Sequence, residues 1–242
     1  PRPVGTVVHN SDLALTLANV RLQANDGFYK GVTASRIASY SAAQGGAVTL
    51  AELAGVSDMQ GPARVRVTGQ LTAWIPGPRT GAGAFVTSLL DNLARAQAGG
   101  RGGEAAVMTA ARQSLATFGV SSLPKDMGST GFAAVDSNGQ AAACAVTLNG
   151  PFGSGHTAAD TGVSLAASPA AGPAGLASAF LTPLIATSGT DVALAGTGSG
   201  GPNGTAAAAY ALLASSGGRI LTHATIRSTG VAPFDTVNMI SC

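Results

Sequence analysis

Apolar positions along the chain switch between helical and alternating spacing, and the switches mark the elements. Leu13, Leu17 and Val20 share one face of a helix predicted over 11–24, with Ser11 and Asp12 as candidate caps. Asp26-Gly-Phe-Tyr-Lys-Gly31 reads as a turn into a second helix near 33–44, stopped by Gly45-Gly46. Thr49-Leu-Ala-Glu52 has capping-box spacing, in which each end satisfies a backbone donor of the other, and it opens a short helix. Strands follow over 63–68 and 71–75, with Gly69-Gln70 between them. A Pro- and Gly-rich loop over 76–83 feeds a helix over 84–96. The glycines around Arg101 predict a mobile link over 97–104, and another helix runs over 104–118.

In the second half a short strand follows directly on the hydroxyl pair Ser129-Thr130, turns at Asp136-Ser-Asn-Gly139 and returns over 141–148. The segment 166–174 is Ala, Gly and Pro with almost no side-chain chemistry. A strand near 191–195, the loop Gly196-Thr-Gly-Ser-Gly-Gly201 and a helix over 203–215 complete the pattern. No internal repeat is visible. Helices, then strands, then helices, with a hairpin at the centre, predict a layered α/β sandwich.

Composition sharpens this in one respect. Only 10% of the 242 residues are charged, against about 25% in ordinary soluble domains. So lean a surface fits either a protein partner covering much of it in a larger assembly or a compositional bias of the lineage, which the 34 glycines also show. A net charge of +2 with no basic cluster argues against nucleic acid as a partner. No apolar run reaches the roughly 18 residues that a membrane-spanning helix needs, so no membrane span of its own is expected. No signal-peptide pattern is present, which predicts an intracellular or already mature chain.

The chemistry concentrates in the hairpin. Ser129 and Thr130 sit directly before its first strand, and the return strand ends in Thr147-Leu-Asn149. That layout displays a hydroxyl nucleophile at the lip of a sheet, with a second hydroxyl and an amide brought opposite. Taken singly, each residue also has a plain structural reading: strand-start hydroxyls, a β-branched strand residue and an Asn149-Gly150 turn. Nothing else competes. His9, His156 and His223 have no carboxylate at triad spacing, and the His, Asp and Glu residues do not cluster as metal ligands, so neither metal nor cofactor is expected. Cys144 and Cys242 read as a buried thiol and a free terminal thiol. The glycine loop before the last helix lacks the Lys-Ser/Thr of a phosphate-binding loop.

Gly128-Ser-Thr-Gly-Phe-Ala-Ala-Val-Asp136 resembles the start of the small subunit of the gamma-glutamyltransferases, where a Thr-Thr-His/Gly-aromatic-x-x-x-Asp run begins with a self-cleaving nucleophile. Further motifs are similar and occur in the same order. They are Asp12-Leu-Ala with Phe28-Tyr-Lys-Gly31, Gly45-Gly to Leu53, Ile75-Pro-Gly-Pro-Arg-Thr-Gly-Ala-Gly83, and Gly196 to Gly201. The likeness covers roughly residues 7–220. It implies an αββα sandwich of the N-terminal-nucleophile hydrolase type, reduced at both ends. Residues 1–128 would be a remnant of the large-subunit part and 129–242 the small-subunit part, the two forming one compact domain. Periplasmic or extracellular location is suggested by the resemblance alone.

The resemblance also assigns roles. Ser129 falls at the nucleophile with Thr130 directly after it, Thr147 where a second Thr hydrogen-bonds the nucleophile, and Asn149 where an Asn holds the substrate's amino end. Gly200 and Gly201 fall on the oxyanion loop. The general base would be the freed α-amine, whose pKa of about 8 lies near working pH. The substrate clamp is replaced. Ala171 stands where a carboxylate would bind the glutamyl ammonium, and Ala179-Phe180 where a serine pair would bind its carboxylate. An apolar pocket leaves a zwitterion unmatched. Two functions follow as expectations: a catalytically impaired accessory or structural subunit, or an active amidohydrolase or acyltransferase with a less polar, small amide substrate.

Overall fold

The structure is a computed structural model that describes residues 3–57, 60–100, 102–118, 127–168, 172–217, 227–229 and 237–241. Arg101, Ala171, His223 and Cys242 lie outside the described residues. The first helix, α1 (Ser11–Gln23), is capped one residue earlier than expected: Asn10 accepts a hydrogen bond from the Leu13 N–H at 3.0 Å. Then come α2 (Asp26–Tyr29), a short helix where a turn was expected, α3 (Gly31–Ala43) and α4 (Leu50–Ala54). The Thr49/Glu52 capping box forms as predicted, with Thr49 N–H to the Glu52 carboxylate at 2.8 Å. Strands β1 (Arg64–Thr68) and β2 (Leu71–Ile75) make a hairpin whose two-residue link puts Gly69 at φ +61°. Helices α5 (Ala84–Ala98) and α6 (Gly103–Thr117) follow.

The chain continues through β3 (Ser129–Val135), β4 (Ala141–Thr147), the two-residue strands β5 (Thr157–Ala158) and β6 (Val163–Ser164), β7 (Thr182–Ser188) and β8 (Asp191–Gly198). It then forms α7 (Pro202–Ser216), β9 (Arg227–Thr229) and β10 (Val237–Ser241). Two compact units divide it: residues 1–58 with 152–166, and residues 59–151 with 167–242. Residues 128 and 129 both fall inside the second unit. Strands β2 and β7, from either side of that point, hydrogen-bond in one sheet.

In the first unit, Thr16 rather than Leu17 is the buried residue of α1, because its hydroxyl donates to the Thr161 carbonyl at 2.9 Å. Leu17 is exposed. The approach is close: a Cβ on Gly162 would lie 2.5 Å from the Leu13 nitrogen. Ile37 is the large buried residue of α3.

The second unit is a mixed α/β assembly around a six-stranded antiparallel sheet of order β1-β2-β7-β8-β10-β9. Leu71, Ala73, Ile75, Leu184, Ala186 and Leu194 alternate onto one face. There they form a core with Phe85, Leu89 and Leu93 of α5, Val107 of α6 and Leu212 of α7. Each such Leu or Phe contributes about 1.5–3 kcal/mol by leaving water. The other face carries the β3–β4 hairpin, which makes a two-stranded sheet of its own. Contact is intimate at Gly131, where a Cβ would lie 2.2 Å from Thr197 Cγ2.

Two elements depart from the sequence reading. β7 has no counterpart in the sequence reading, and it carries Pro183 as its second residue, a position where proline is tolerated only where a ladder hydrogen bond is not needed. On its β2 side pairing begins only at Ile185, while toward β8 Pro183 sits opposite Thr197. The expected loop 196–201 starts late, since β8 runs through Gly198. A Cβ on Gly198 would lie 2.1 Å from the Gly204 carbonyl oxygen, so glycine here lets α7 sit on the strand.

Candidate functional site

The hairpin turn is set locally. Asp136 accepts hydrogen bonds from the Asn138 and Gln140 N–H groups, both at 2.9 Å, which fixes the register of the two strands. That register places Ser129 directly opposite Thr147. Successive strand residues point to opposite faces, so Thr130, paired with Val146, lies exposed on the outer face. The two adjacent hydroxyls therefore do not share a site. Ser129, with Thr147, is on the side that faces the large sheet.

Three backbone features hold the corner. Gly128 has φ +65°, and a Cβ there would lie 2.0 Å from the Gly150 carbonyl. Only glycine fits between the end of one hairpin strand and the turn that leaves the other. Met127 donates its N–H to the Gly200 carbonyl at 2.9 Å. In return the Gly200 N–H donates to the Ser129 hydroxyl oxygen at 2.8 Å. Gly200 and Gly201 both have positive φ (95° and 118°), which is what turns the chain from β8 into α7 with an N–H aimed at Ser129.

The Thr147 hydroxyl donates to the Gly128 carbonyl at 3.4 Å and accepts from the Asn149 N–H at 2.9 Å. It thus touches the carbonyl of the peptide bond immediately before Ser129. Asn149 is a left-handed residue (φ +59°), and its side-chain amide donates to the Ala167 carbonyl at 3.0 Å. With Ala167 N–H to Leu148 carbonyl at 2.8 Å, it fastens Ala167 to the end of β4. Gly201 accepts a hydrogen bond from Thr205 N–H, closing the first turn of α7.

Chemically, a backbone donor on the Ser129 oxygen favours its deprotonated form. A hydroxyl on the Gly128 carbonyl favours negative charge there. Ser129, Thr147 and Gly200 are therefore brought together, Thr130 is turned away, and Asn149 is committed to the backbone. His9 and His156 belong to the first unit and Ser129 to the second. Among the described residues no three of His, Cys, Asp and Glu lie together as a metal site would require. No helix among them is long and apolar enough to cross a membrane.

Phe180, at one of the two positions of the expected serine pair, is 1% exposed. Its ring packs edge-on against Phe85 at 4.8 Å and lies 6.2 Å from Phe118. What the sequence reading missed is the open side of the hairpin. There Trp74, Pro183 and Ile185 floor a groove of about 800 Å³ beside Ala143. The alternation in β2 was the available signal, since it sets Trp74 opposite the buried Ala73 and Ile75. No protein-family model matches this chain, and no curated protein matches it.

Proposed function

We propose that the chain is a truncated and divergent gamma-glutamyltransferase-like protein, built on an N-terminal-nucleophile sandwich reduced at both ends. It is catalytically impaired toward γ-glutamyl substrates and serves as an accessory or structural subunit of a larger assembly. The observation that carries this reading is Phe180. A ring 1% exposed within an aromatic cluster occupies the position where the resemblance calls for a hydroxyl on the substrate's carboxylate. The surrounding apolar packing cannot stabilise a buried charge, which costs several kcal/mol when unmatched. The succession of helices, six-stranded sheet and hairpin in the second unit supports the sandwich.

A second reading has its own observation. The Gly200 N–H on the Ser129 oxygen and the Thr147 hydroxyl on the Gly128 carbonyl suit a self-cleaving amidohydrolase or acyltransferase. In it the Ser129 hydroxyl attacks the Gly128 carbonyl, and an N–O acyl shift exchanges the Gly128–Ser129 amide for an ester on the Ser129 oxygen. Water hydrolyses that ester to free the hydroxyl and the Gly128 carboxylate, and the freed amine then serves as base. The denatured intact mass of the purified protein separates the two. A single mass near 23.5 kDa, together with retention of a fixed partner by Ser129→Ala, supports the accessory subunit. Two fragments meeting at Gly128/Ser129 overturn it in favour of the enzyme.

A further inference from the structure

Two of the three residues that link β8 to α7 are glycines, Gly200 and Gly201, at φ +95° and +118°. Glycine holds no backbone orientation of its own. The aim of the Gly200 N–H at the Ser129 oxygen is therefore fixed from outside the link. Thr205 fixes the helix side, where its N–H reaches the Gly201 carbonyl at 3.0 Å. The other side rests on Met127.

Met127 is 4% exposed and packs in the core of the second unit. Its N–H donates to the Gly200 carbonyl at 2.9 Å, and the Gly200 N–H donates to the Ser129 oxygen at 2.8 Å. Both backbone polar groups of one glycine are thus held by residues two apart in the facing segment. Between those residues Gly128, at φ +65°, is wedged against Gly150, where a Cβ would lie 2.0 Å from the carbonyl. The Met127 side chain meets the same link. A Cβ on Gly201 would lie 3.1 Å from its Cγ and 3.2 Å from its Sδ.

We propose that Met127 is a positioning residue for Ser129. Its buried side chain and its N–H hold the Gly200–Gly201 peptide, and through it set the donor on the Ser129 oxygen. A preorganised donor favours the ionised form of the group it faces, because nothing has to turn when charge develops. Met127 lies across the Gly128–Ser129 bond from the oxygen it serves, so it acts in the uncut chain. This deepens the self-cleaving reading and rests on it for any reaction, while the positioning itself does not require a cut.

A thiol at position 129 turns that donor into a titration. In Ser129→Cys the rate of alkylation by iodoacetamide is followed from about pH 5 to 10. It is read on the peptide spanning positions 127 and 129, which only uncut chains yield and which leaves out Cys144 and Cys242. The expected midpoint lies below about 8.5, the ordinary value of a cysteine thiol. Adding Met127→Ala should leave at least about threefold less thiolate at pH 7. Met127→Leu, which nearly conserves volume, should restore it. Amide exchange in β2 and β7 checks in the same samples that the fold is kept. Equal pH profiles with and without Met127→Ala overturn the proposal, and so does an equal rise in Met127→Ala and Met127→Leu. Where Met127→Ala does not fold, the Gly200 amide decides. It should exchange at least about tenfold faster in Ser129→Ala than in the parent chain, and equal exchange overturns the proposal. Intact mass keeps the two ideas apart. Chains uncut throughout remove the self-cleaving reading and leave the Met127 result standing. A parent chain that cuts at Gly128/Ser129, with a pH profile that ignores Met127→Ala, removes only the positioning role.

Discussion

The two faces of the six-stranded sheet are closed by different means. The helical face is filled by volume: Phe85, Leu89, Leu93, Phe180, Leu184 and Leu212 interlock beneath α5 and α7, each at or below 1% exposed. The hairpin face is closed by proximity. Gly131 on Thr197, and alanines along both hairpin strands, bring backbones together with little side-chain volume between them. Large apolar residues stabilise in proportion to the area they remove from water. Close-packed small residues contribute less of that and more of positional accuracy. The candidate site lies on the second kind of face, where Ser129 is placed by backbone hydrogen bonds. On that face Val65 of β1 and Trp74 of β2 remain 41% and 43% exposed.

The contrast can be broken or sharpened by substitution. Phe180→Ala should cost about 3–5 kcal/mol, the usual price of emptying an aromatic core site, read as a shift of the urea midpoint. A loss below about 1 kcal/mol would mean that the aromatic cluster does not hold the helical face. Gly131→Ala should cost about 1–3 kcal/mol through overpacking. Its mark is faster amide exchange in β3 and β4 while β2 and β7 stay protected. Thr197→Ala removes the two atoms the new methyl meets, so the double variant should recover at least part of the loss. Strict additivity would show that Gly131 is not the contact that seats the hairpin.

Smaller effects test the corner and the rim. Ser129→Ala removes the acceptor of the Gly200 N–H and should cost about 1 kcal/mol. On the accessory-subunit reading it leaves both the intact mass and the partner unchanged. Arg66→Gln breaks a half-exposed pair with Asp91, in which a guanidinium nitrogen lies 3.0 Å from the carboxylate. That should cost less than about 1 kcal/mol and fade as salt is raised. Phe132→Ala, on the outer face of the hairpin at 60% exposure, should stay within about 0.5 kcal/mol. A larger loss would reveal that this face is covered.

What the sequence determined by itself was local. The capping box at Thr49, the Gly69 link, the Asp136 turn and the opposition of Ser129 and Thr147 were all legible. Each depends on residues within a few positions of a turn, where side-chain chemistry and backbone φ decide alone. Tertiary structure decided the rest. It admitted Pro183 into a strand that pairs with β2 only from Ile185 on, and extended β8 through glycines that α7 needed close. It turned Thr130 outward while Ser129 faced in, bound Asn149 to Ala167, and brought the Gly200 N–H to a hydroxyl 71 residues away. Those outcomes depend on which distant segments share a sheet face, and no local period records that choice.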